Sequence, residues 1–172
     1  MELSQFFISA IHNPRVPLPE IRSVLEEAFG PLDESSRSYP FDQTDYYAKE
    51  MGSGLVRVFF PLRKIIPPSE LVRFKKMTVE VESAFFTIDR RRSVNLDPGY
   101  LDAVKVVLAS TKGGGHKIPL TSEIFADLVL DYFKGAFRPF DWTFPDFKST
   151  LFHPFLVSLR ENYLRKIPLV AL

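Results

Sequence analysis

The sequence predicts a single α+β domain, on three observations. Apolar runs with the length of buried strands alternate along the chain with segments of helical periodicity. The 172 residues match the size of one domain, and no repeat or linker divides them. Hydrophobic residues are 45% and charged residues 25%, which is the composition of a globular protein. We therefore treat residues 1–172 as one domain with a mixed sheet.

The first six predicted elements follow the order β-α-β-β-α-β. Apolar or β-branched runs predict strands at Phe6 to Ile11, Leu55 to Ile66 and Ser93 to Leu96, and the segment from Ser35 to Phe41 is at best a further strand. Apolar residues at helical spacing predict two helices, at Ile21 to Phe29, closed by Gly30-Pro31, and at Leu71 to Phe85, opened by Pro67-Pro68. The short, polar second strand is expected at an edge. This order is that of a ferredoxin-like split unit.

An added helix, a β-hairpin and a C-terminal helix are predicted to follow. Asp97-Pro98 has the form of an N-cap followed by proline at the first helical position. Leu101, Val104 and Leu108 would form that helix's apolar face, and the three glycines 113–115 would end it. The rest of the chain predicts a hairpin from His116 to Leu120 and Ile124 to Phe133, a further strand after Lys134-Gly135, and a helix marked by Phe155, Leu156, Leu159 and Tyr163.

Charge and cysteine content exclude several classes of function. The formal net charge is +1, so no overall field favours nucleic acid or an acidic membrane, and we expect neither as a partner. There is no cysteine, which excludes disulfides, thiolate metal sites and a cysteine nucleophile. The first residues carry no basic segment, and no apolar run approaches the roughly 18 residues of a membrane span. We therefore expect a cytoplasmic protein.

Two groups of polar residues are candidates for a site. Asp42, Asp45 and Glu50 lie in a predicted loop, where carboxylates could bind a hard cation or supply an acid/base pair, or simply cap turns. Asn95 and Asp97 lie at the predicted strand-to-helix junction, a common place for ligands, although an N-cap explains Asp97 equally well.

The segment from Lys112 to Lys117 invites comparison with phosphate loops. It lacks the P-loop pattern, and it is predicted to follow a helix C-terminus, where the helix dipole opposes anions. A flexible lid is the alternative. His116 is one of three histidines and has no zinc-motif spacing. The basic run from Arg90 to Arg92 is typical of a solvated face.

Several motifs in fixed order resemble one known family. They are Phe41-Asp42-Gln43-Thr44-Asp45-Tyr46-Tyr47, Glu50-Met51-Gly52, Asn95-Leu96-Asp97-Pro98-Gly99-Tyr100, Thr111-Lys112, His116-Lys117-Ile118 and Trp142-Thr143-Phe144-Pro145-Asp146. Together they are similar to the prokaryotic family called domain of unknown function 4416, over nearly the whole chain. The sequence departs from that pattern at Gln43, in the three glycines 113–115 and at Pro119. Some members are labelled GTP-binding proteins, and this chain has no P-loop sequence to support that label.

The resemblance implies that the polar motif residues share one surface. The candidates are Asp42, Asp45, Glu50, Asn95, Asp97, Lys112, His116 and Asp146. We expect a binding or regulatory domain for a small polar ligand. One alternative is a cation-dependent enzyme acting on a phosphorylated small molecule, with Asp42, Asp45 and Asp97 as ligands and His116 or Lys112 as acid/base or charge stabiliser. The other is a structural interaction module. No cofactor is expected apart from such a divalent cation, and the sequence does not predict the oligomeric state.

Overall fold

The computed structural model describes residues 2–85 and 91–170. Its strands are β1 (Ser4–His12), β2 (Tyr39–Pro40), β3 (Val56–Ile66), β4 (Val94–Leu101), β5 (Lys105–Ser110), β6 (Ile118–Pro119), β7 (Phe125–Phe133) and β8 (Ala136–Pro139). Its helices are α1 (Leu18–Phe29), α2 (Ala48–Met51), α3 (Leu71–Glu82), α4 (Pro145–Lys148) and α5 (His153–Val170). Short 3₁₀ turns at Pro68–Glu70 and Ser83–Phe85 flank α3. None of the helices in these ranges is long and apolar enough to cross a membrane.

One sheet organises the molecule, and the predicted α+β class is confirmed. The strand order is β2-β3-β1-β4-β5-β7-β6, with β8 also paired to β7. Every strand pairing within the described ranges is antiparallel, where the sequence had suggested a mixed sheet. The strand β2 is only two residues long and lies at the edge of the sheet. The hairpin partners β6 and β7 and the further strand β8 are confirmed.

Successive side chains of β1 belong alternately to two hydrophobic cores, one on each face of the sheet. Phe6, Ile8 and Ala10 belong to a first core, built with residues of α1 and α3. Phe7 belongs to a second core, to which α4 and α5 contribute. Because successive side chains of a strand point to opposite faces, a continuous apolar run such as that of β1 is what a strand covered on both sides requires.

Three predicted helices are present, each with the predicted face buried. Ile21 and Leu25 of α1 are buried, and the helix ends at Gly30, whose φ of 85° suits glycine. Leu71, Phe74 and Thr78 of α3 are buried in the same way. The C-terminal helix α5 buries its predicted residues Leu156, Leu159 and Tyr163, while Phe155 packs partly buried against the same core.

The predicted helix after Asp97-Pro98 is wrong, because this segment forms the antiparallel strands β4 and β5. Val104, which was assigned to an apolar helical face, lies in the turn between them and is 57% exposed. The side chain of Asp102 closes that turn by accepting hydrogen bonds from the backbone N–H groups of Val104 and Lys105, at 2.8 and 3.0 Å. A buried run from Val106 to Ala109 suits a strand better than the i, i+3, i+7 spacing suits a helix.

The strands β4 and β5 pair along only part of their length. Gly99, Tyr100 and Leu101 pair with residues 106–108, whereas residues 94–98 of β4 pair only with β1. At Pro98 the strand therefore has a neighbour on one side only, which is the kind of position where sheets accept proline. Between the separating ends of β4 and β5 the sheet leaves room for a cavity.

Candidate functional site

A cavity of about 460 Å³ lies where β4 and β5 separate. Its wall includes aromatic side chains from the loop after β2 and from the segment before α4, namely Phe41, Tyr46, Tyr47 and Phe144. Its polar side chains come from β3, α3, β4, β7 and α4 and from the loop after β5. Residues distant in sequence thus converge on one concave surface.

Asp97 lies at the centre of one polar group. Its Oδ1 accepts a hydrogen bond from the Lys75 ammonium at 2.8 Å, and its Oδ2 accepts one from the Asn95 amide at 2.7 Å. Lys75 also donates to the backbone oxygen of Leu96, at 3.2 Å. Burial opposes ionisation, but Lys75, Arg57 and Asn95 together hold the pKa of the Asp97 carboxyl below its ordinary value. Asp97 is therefore an ionised strand residue, and the predicted N-cap is wrong.

Arg57 and Asp146 form an almost completely buried ion pair. Their side chains are 6% and 7% exposed, and the Arg57 guanidinium donates to Asp146 Oδ2 at 2.7 and 2.6 Å. Another guanidinium nitrogen donates to the Ser9 hydroxyl. The charge also lies 5.1 Å from the centre of the Phe147 ring and 5.4 Å from that of Phe41. Hydrogen bonds and cation–π contacts together compensate the loss of water around this guanidinium.

Arg92 connects three segments at another side of the cavity. It binds the Glu50 carboxylate through two nitrogens, at 2.8 and 2.9 Å, and contacts Glu82 at 3.2 Å and Asn95 at 3.1 Å. Its interaction with Glu50 raises the pKa of the Arg92 guanidinium and lowers that of the Glu50 carboxyl. The basic run is thus more than a solvated face, since Arg92 is held in a network. Arg90, its first residue, lies outside the described ranges.

Glu82 is the buried acid of this network. Its Oε1 accepts a hydrogen bond from the backbone N–H of Leu96 at 2.7 Å. Burial raises the pKa of its carboxyl, and Asp97 adds to the effect, while this hydrogen bond, Lys75 and Arg92 oppose it. Burial also raises the pKa of the Tyr47 hydroxyl in the same cavity, again reinforced by Asp97. Burial therefore favours the neutral form of both side chains, and the charge of Asp97 reinforces it.

A third polar group surrounds Asp127, which is 1% exposed. Its Oδ2 lies 3.6 Å from the Lys117 ammonium and its Oδ1 lies 3.5 Å from Nε2 of His116. The His116 ring stacks on Trp142, with ring centres 5.5 Å apart and an angle of 18°. Trp142 donates its indole N–H to the backbone oxygen of Leu128, at 2.9 Å. His116 therefore packs on Trp142 beside a buried carboxylate whose Oδ1 accepts no hydrogen bond from the described residues.

Lys112 stands beside this group at the mouth of the cavity. Its ammonium lies 3.9 Å from the centre of the Tyr46 ring. Burial and the neighbouring Lys117 lower the pKa of its ammonium. The predicted helix C-terminus at this point is wrong, since the segment follows β5, a strand. The argument that a helix dipole opposes anions at the three glycines therefore does not apply.

The structure brings together only part of the predicted site. Asn95, Asp97, Lys112 and Asp146 all line the cavity. Two further candidates lie one contact away, because Glu50 is bound to Arg92 and His116 touches Asp127. Asp42 and Asp45 line a separate groove of about 540 Å³ beside α2. Asp45 is therefore not on the surface that carries Asp97.

The three proposed cation ligands do not converge. Asp42 and Asp45 face the separate groove, and Asp97 faces the cavity. Within residues 2–85 and 91–170 no three histidine, aspartate or glutamate side chains are placed to hold one metal ion. The cation-dependent hypothesis thus has no ligand set in the part of the chain that the structure describes.

Sequence reasoning missed six charged residues of the cavity wall: Arg57, Lys75, Glu82, Arg92, Lys117 and Asp127. A signal was present for three of them. Lys75 and Glu82 lie on the same helical face as the buried Leu71, Phe74 and Thr78, and Asp127 interrupts the apolar strand β7. A charge on an apolar face needs a partner, which marks such residues as members of a polar cluster.

A model of one protein family matches residues 2–163. The chain belongs to the family described as Domain of unknown function (DUF4416). The resemblance inferred from the sequence motifs is thus confirmed. No curated protein and no solved structure matches this DUF4416 chain. The family assignment brings no substrate or mechanism, so the function has to be argued from the cavity.

Proposed function

We propose that this protein binds a small polar ligand in the cavity between β4 and β5 and acts as a binding or regulatory domain. The observation that carries the proposal is the convergence of polar side chains and aromatic walls on one space of about 460 Å³. Small-molecule sites typically enclose roughly 300 to 1,000 Å³, with mostly apolar walls and a few placed polar groups. The cavity has that size and that composition.

Pre-organisation of the wall further supports binding. Asp97 is held by Lys75 and Asn95, and Asp146 is held by Arg57, before any ligand arrives. Fixed side chains lower the ordering cost that a ligand must overcome, so affinity is gained without new contacts.

An enzymatic role is the alternative, favoured by one contact. Nε2 of His116 lies 3.5 Å from Oδ1 of the buried Asp127 carboxylate without a hydrogen bond between them, and a closer approach would give the carboxylate–histidine pair that is common in proton transfer. A ligand found for the cavity should therefore also be tested for conversion to product. An interaction module remains the other alternative, and it predicts no small-molecule ligand at all.

A thermal-shift screen with polar metabolites tests the proposal. A ligand at 100 times its Kd stabilises the folded state by about 2.7 kcal/mol, which raises the melting temperature measurably. The variant Thr111→Trp places a bulky side chain at an exposed position of the cavity wall, and Ser122→Trp places the same side chain in the exposed hairpin turn.

We expect hits that shift the wild type and Ser122→Trp but not Thr111→Trp. A hit that stabilises all three proteins equally binds elsewhere and contradicts the proposal. A screen without hits, combined with a protein partner captured by the native chain, would favour the interaction module.

A further inference from the structure

The charges that line the cavity are paired with one exception. Among the residues that the structure describes, its wall carries five cationic side chains and four carboxylates. Each carboxylate has its own cation: Asp97 with Lys75 at 2.8 Å, Asp146 with Arg57 at 2.6 Å, Glu82 with Arg92 at 3.2 Å and Asp127 with Lys117 at 3.6 Å. The fifth cation is Lys112.

Lys112 has no carboxylate partner within the ranges that the structure describes. Its ammonium contacts the face of Tyr46, an attraction that leaves the charge unneutralised. Arg92, by contrast, has a second carboxylate in Glu50, which lies outside the cavity wall. The positive charge without a carboxylate partner therefore lies at the mouth of the cavity, in the loop after β5.

The neighbours of Lys112 build a place for an anion. The Lys117 ammonium donates hydrogen bonds to the backbone oxygen of Lys112 and to the Ser110 hydroxyl, each at 3.1 Å, so a second cation is held beside the backbone of Lys112. Burial and, after it, the charge of Lys117 lower the pKa of the Lys112 ammonium. A bound anion would supply the counter-charge that Lys112 lacks.

We infer that the ligand of the cavity carries an oxyanionic group, a carboxylate or a phosphate, which binds Lys112 with Lys117 beside it. This inference rests on the proposed function and adds the chemical class of the ligand. A cationic ligand would increase the excess positive charge, and a neutral ligand would leave it. Lys112 is a specificity-determining residue, because its charge selects anions whatever the remainder of the ligand is.

NMR titration of the ¹⁵N-labelled protein at constant ionic strength tests the inference. The probes are inorganic phosphate, malonate, and malonamide, the neutral diamide of malonate. We expect phosphate or malonate to shift the backbone signals of residues 110–117, and malonamide to leave them unchanged. The comparison of phosphate with malonate tells which oxyanion the site prefers.

Three variants assign the effect to the unpaired charge. Lys112→Met should weaken binding of the preferred anion at least tenfold, whereas Lys112→Arg, which keeps the charge, should retain most of it. Lys76→Met removes an exposed lysine of α3 and should change nothing. Equal anion affinity in wild type and Lys112→Met would overturn the inference, as would binding of malonamide as tight as that of malonate.

Failure of the inference and failure of the proposed function give different results. The screen could yield only neutral ligands that shift the NMR signals of Asn95 and Asp97 and bind Lys112→Met as tightly as the wild type. In that case the cavity is a ligand site without an anion subsite. If anions bind at residues 110–117 but Thr111→Trp leaves every screening hit unaffected, the anion site stands and the cavity proposal fails.

Discussion

The strands β4 and β5 are paired at one end, called here the closed end, and separate at the other, the open end. The two ends are packed differently. At the closed end, Gly99 packs so tightly that an added Cβ would lie 2.7 Å from the backbone oxygen of Val107 and 2.6 Å from Leu108. At the open end, Asn95 and Asp97 have no partner on β5, and charged side chains line a cavity instead. The same two strands therefore supply rigid apolar packing and a polar, accessible surface within a few residues.

The contrast shows what the open end requires. A tightly packed interior is stabilised by contact and dispersion, so its residues are apolar or small. An opening in a sheet exposes polar atoms that need partners, and here ion pairs between distant segments supply them. The Arg57–Asp146 pair, 89 residues apart in sequence, joins β3 to α4 across this end.

Asp146→Ala should give the largest loss of stability, because it removes the ion pair that joins β3 to α4 at the open end. Removal of the carboxylate leaves the Arg57 guanidinium buried at 6% exposure without its counter-ion. Breaking one partner of a buried pair typically costs about 3–5 kcal/mol. Urea unfolding monitored by circular dichroism measures the change in the free energy of unfolding.

An exposed Arg–Asp pair provides the matched control. Arg138 and Asp131 also form an ion pair, but their side chains are 50% and 31% exposed. Asp131→Ala should change stability much less than Asp146→Ala, because water replaces the lost partner. Equal losses in the two variants would show that burial is not what makes the Arg57–Asp146 pair important.

Gly99→Ala should have the second largest effect, because it disturbs the tight packing between β4 and β5 at the closed end. The new methyl group meets Phe7 at 2.8 Å as well as Leu108 and the Val107 backbone, and the backbone oxygen cannot move aside as a side-chain end can. Overpacking of a core costs typically about 1–3 kcal/mol. Differential scanning calorimetry should show a lower melting temperature with the same cooperative transition.

Gly115→Ala is the control for this change. No heavy atom of residues 2–85 or 91–170 lies within 4 Å of its added Cβ, so we expect a near-neutral effect. A stable Gly99→Ala protein would mean that β4 and β5 can shift apart at their closed end. The open end would then be a flexible continuation of the strand pair and would not differ from the closed end in how it is packed.

Most of the fold followed from local patterns in the sequence. The strand β1, the buried faces of α1, α3 and α5, and the β6–β7 hairpin all have periodicities that their own residues reveal. The segment after Asp97 was misread because Asp-Pro is a strong helix-start signal and the turn residue Val104 completed a helical spacing by coincidence. Pairing of β4 with β1, which decides the matter, is a contact across about 90 residues and leaves no local trace.

The candidate site was predictable only where polar residues lay in loops or motifs. Asn95, Asp97, Lys112 and Asp146 were found in this way and line the cavity. Their partners Lys75 and Arg57 lie inside a helix and a strand, where a charged residue is ordinarily expected to face water. Which cation neutralises which carboxylate depends on tertiary placement, so the unpaired charge of Lys112 could be recognised only in three dimensions.

Glu82→Gln should give the smallest effect of the three and reports on the protonation of a buried acid at the open end. Burial raises the pKa of the Glu82 carboxyl above its ordinary value of 4.5. The protonated form therefore stabilises the folded state fully below pH 4.5, and this contribution is lost as pH rises through the higher pKa of the folded state. Glutamine stays neutral at every pH and can still accept the hydrogen bond from the Leu96 N–H.

The free energy of unfolding of Glu82→Gln relative to wild type should accordingly rise as pH increases above 4.5. The measurement is urea unfolding at several pH values between 4 and 7, with Glu80→Gln, an exposed acid-to-amide change on the same helix, as the reference. Contributions from all other carboxyls are common to the compared proteins and largely cancel. Arg92 keeps its two hydrogen bonds to Glu50 in the variant, so the network does not collapse. A relative stability that falls with pH would mean that attraction to Arg92 outweighs burial at Glu82, and that this carboxylate is held charged as Asp97 is.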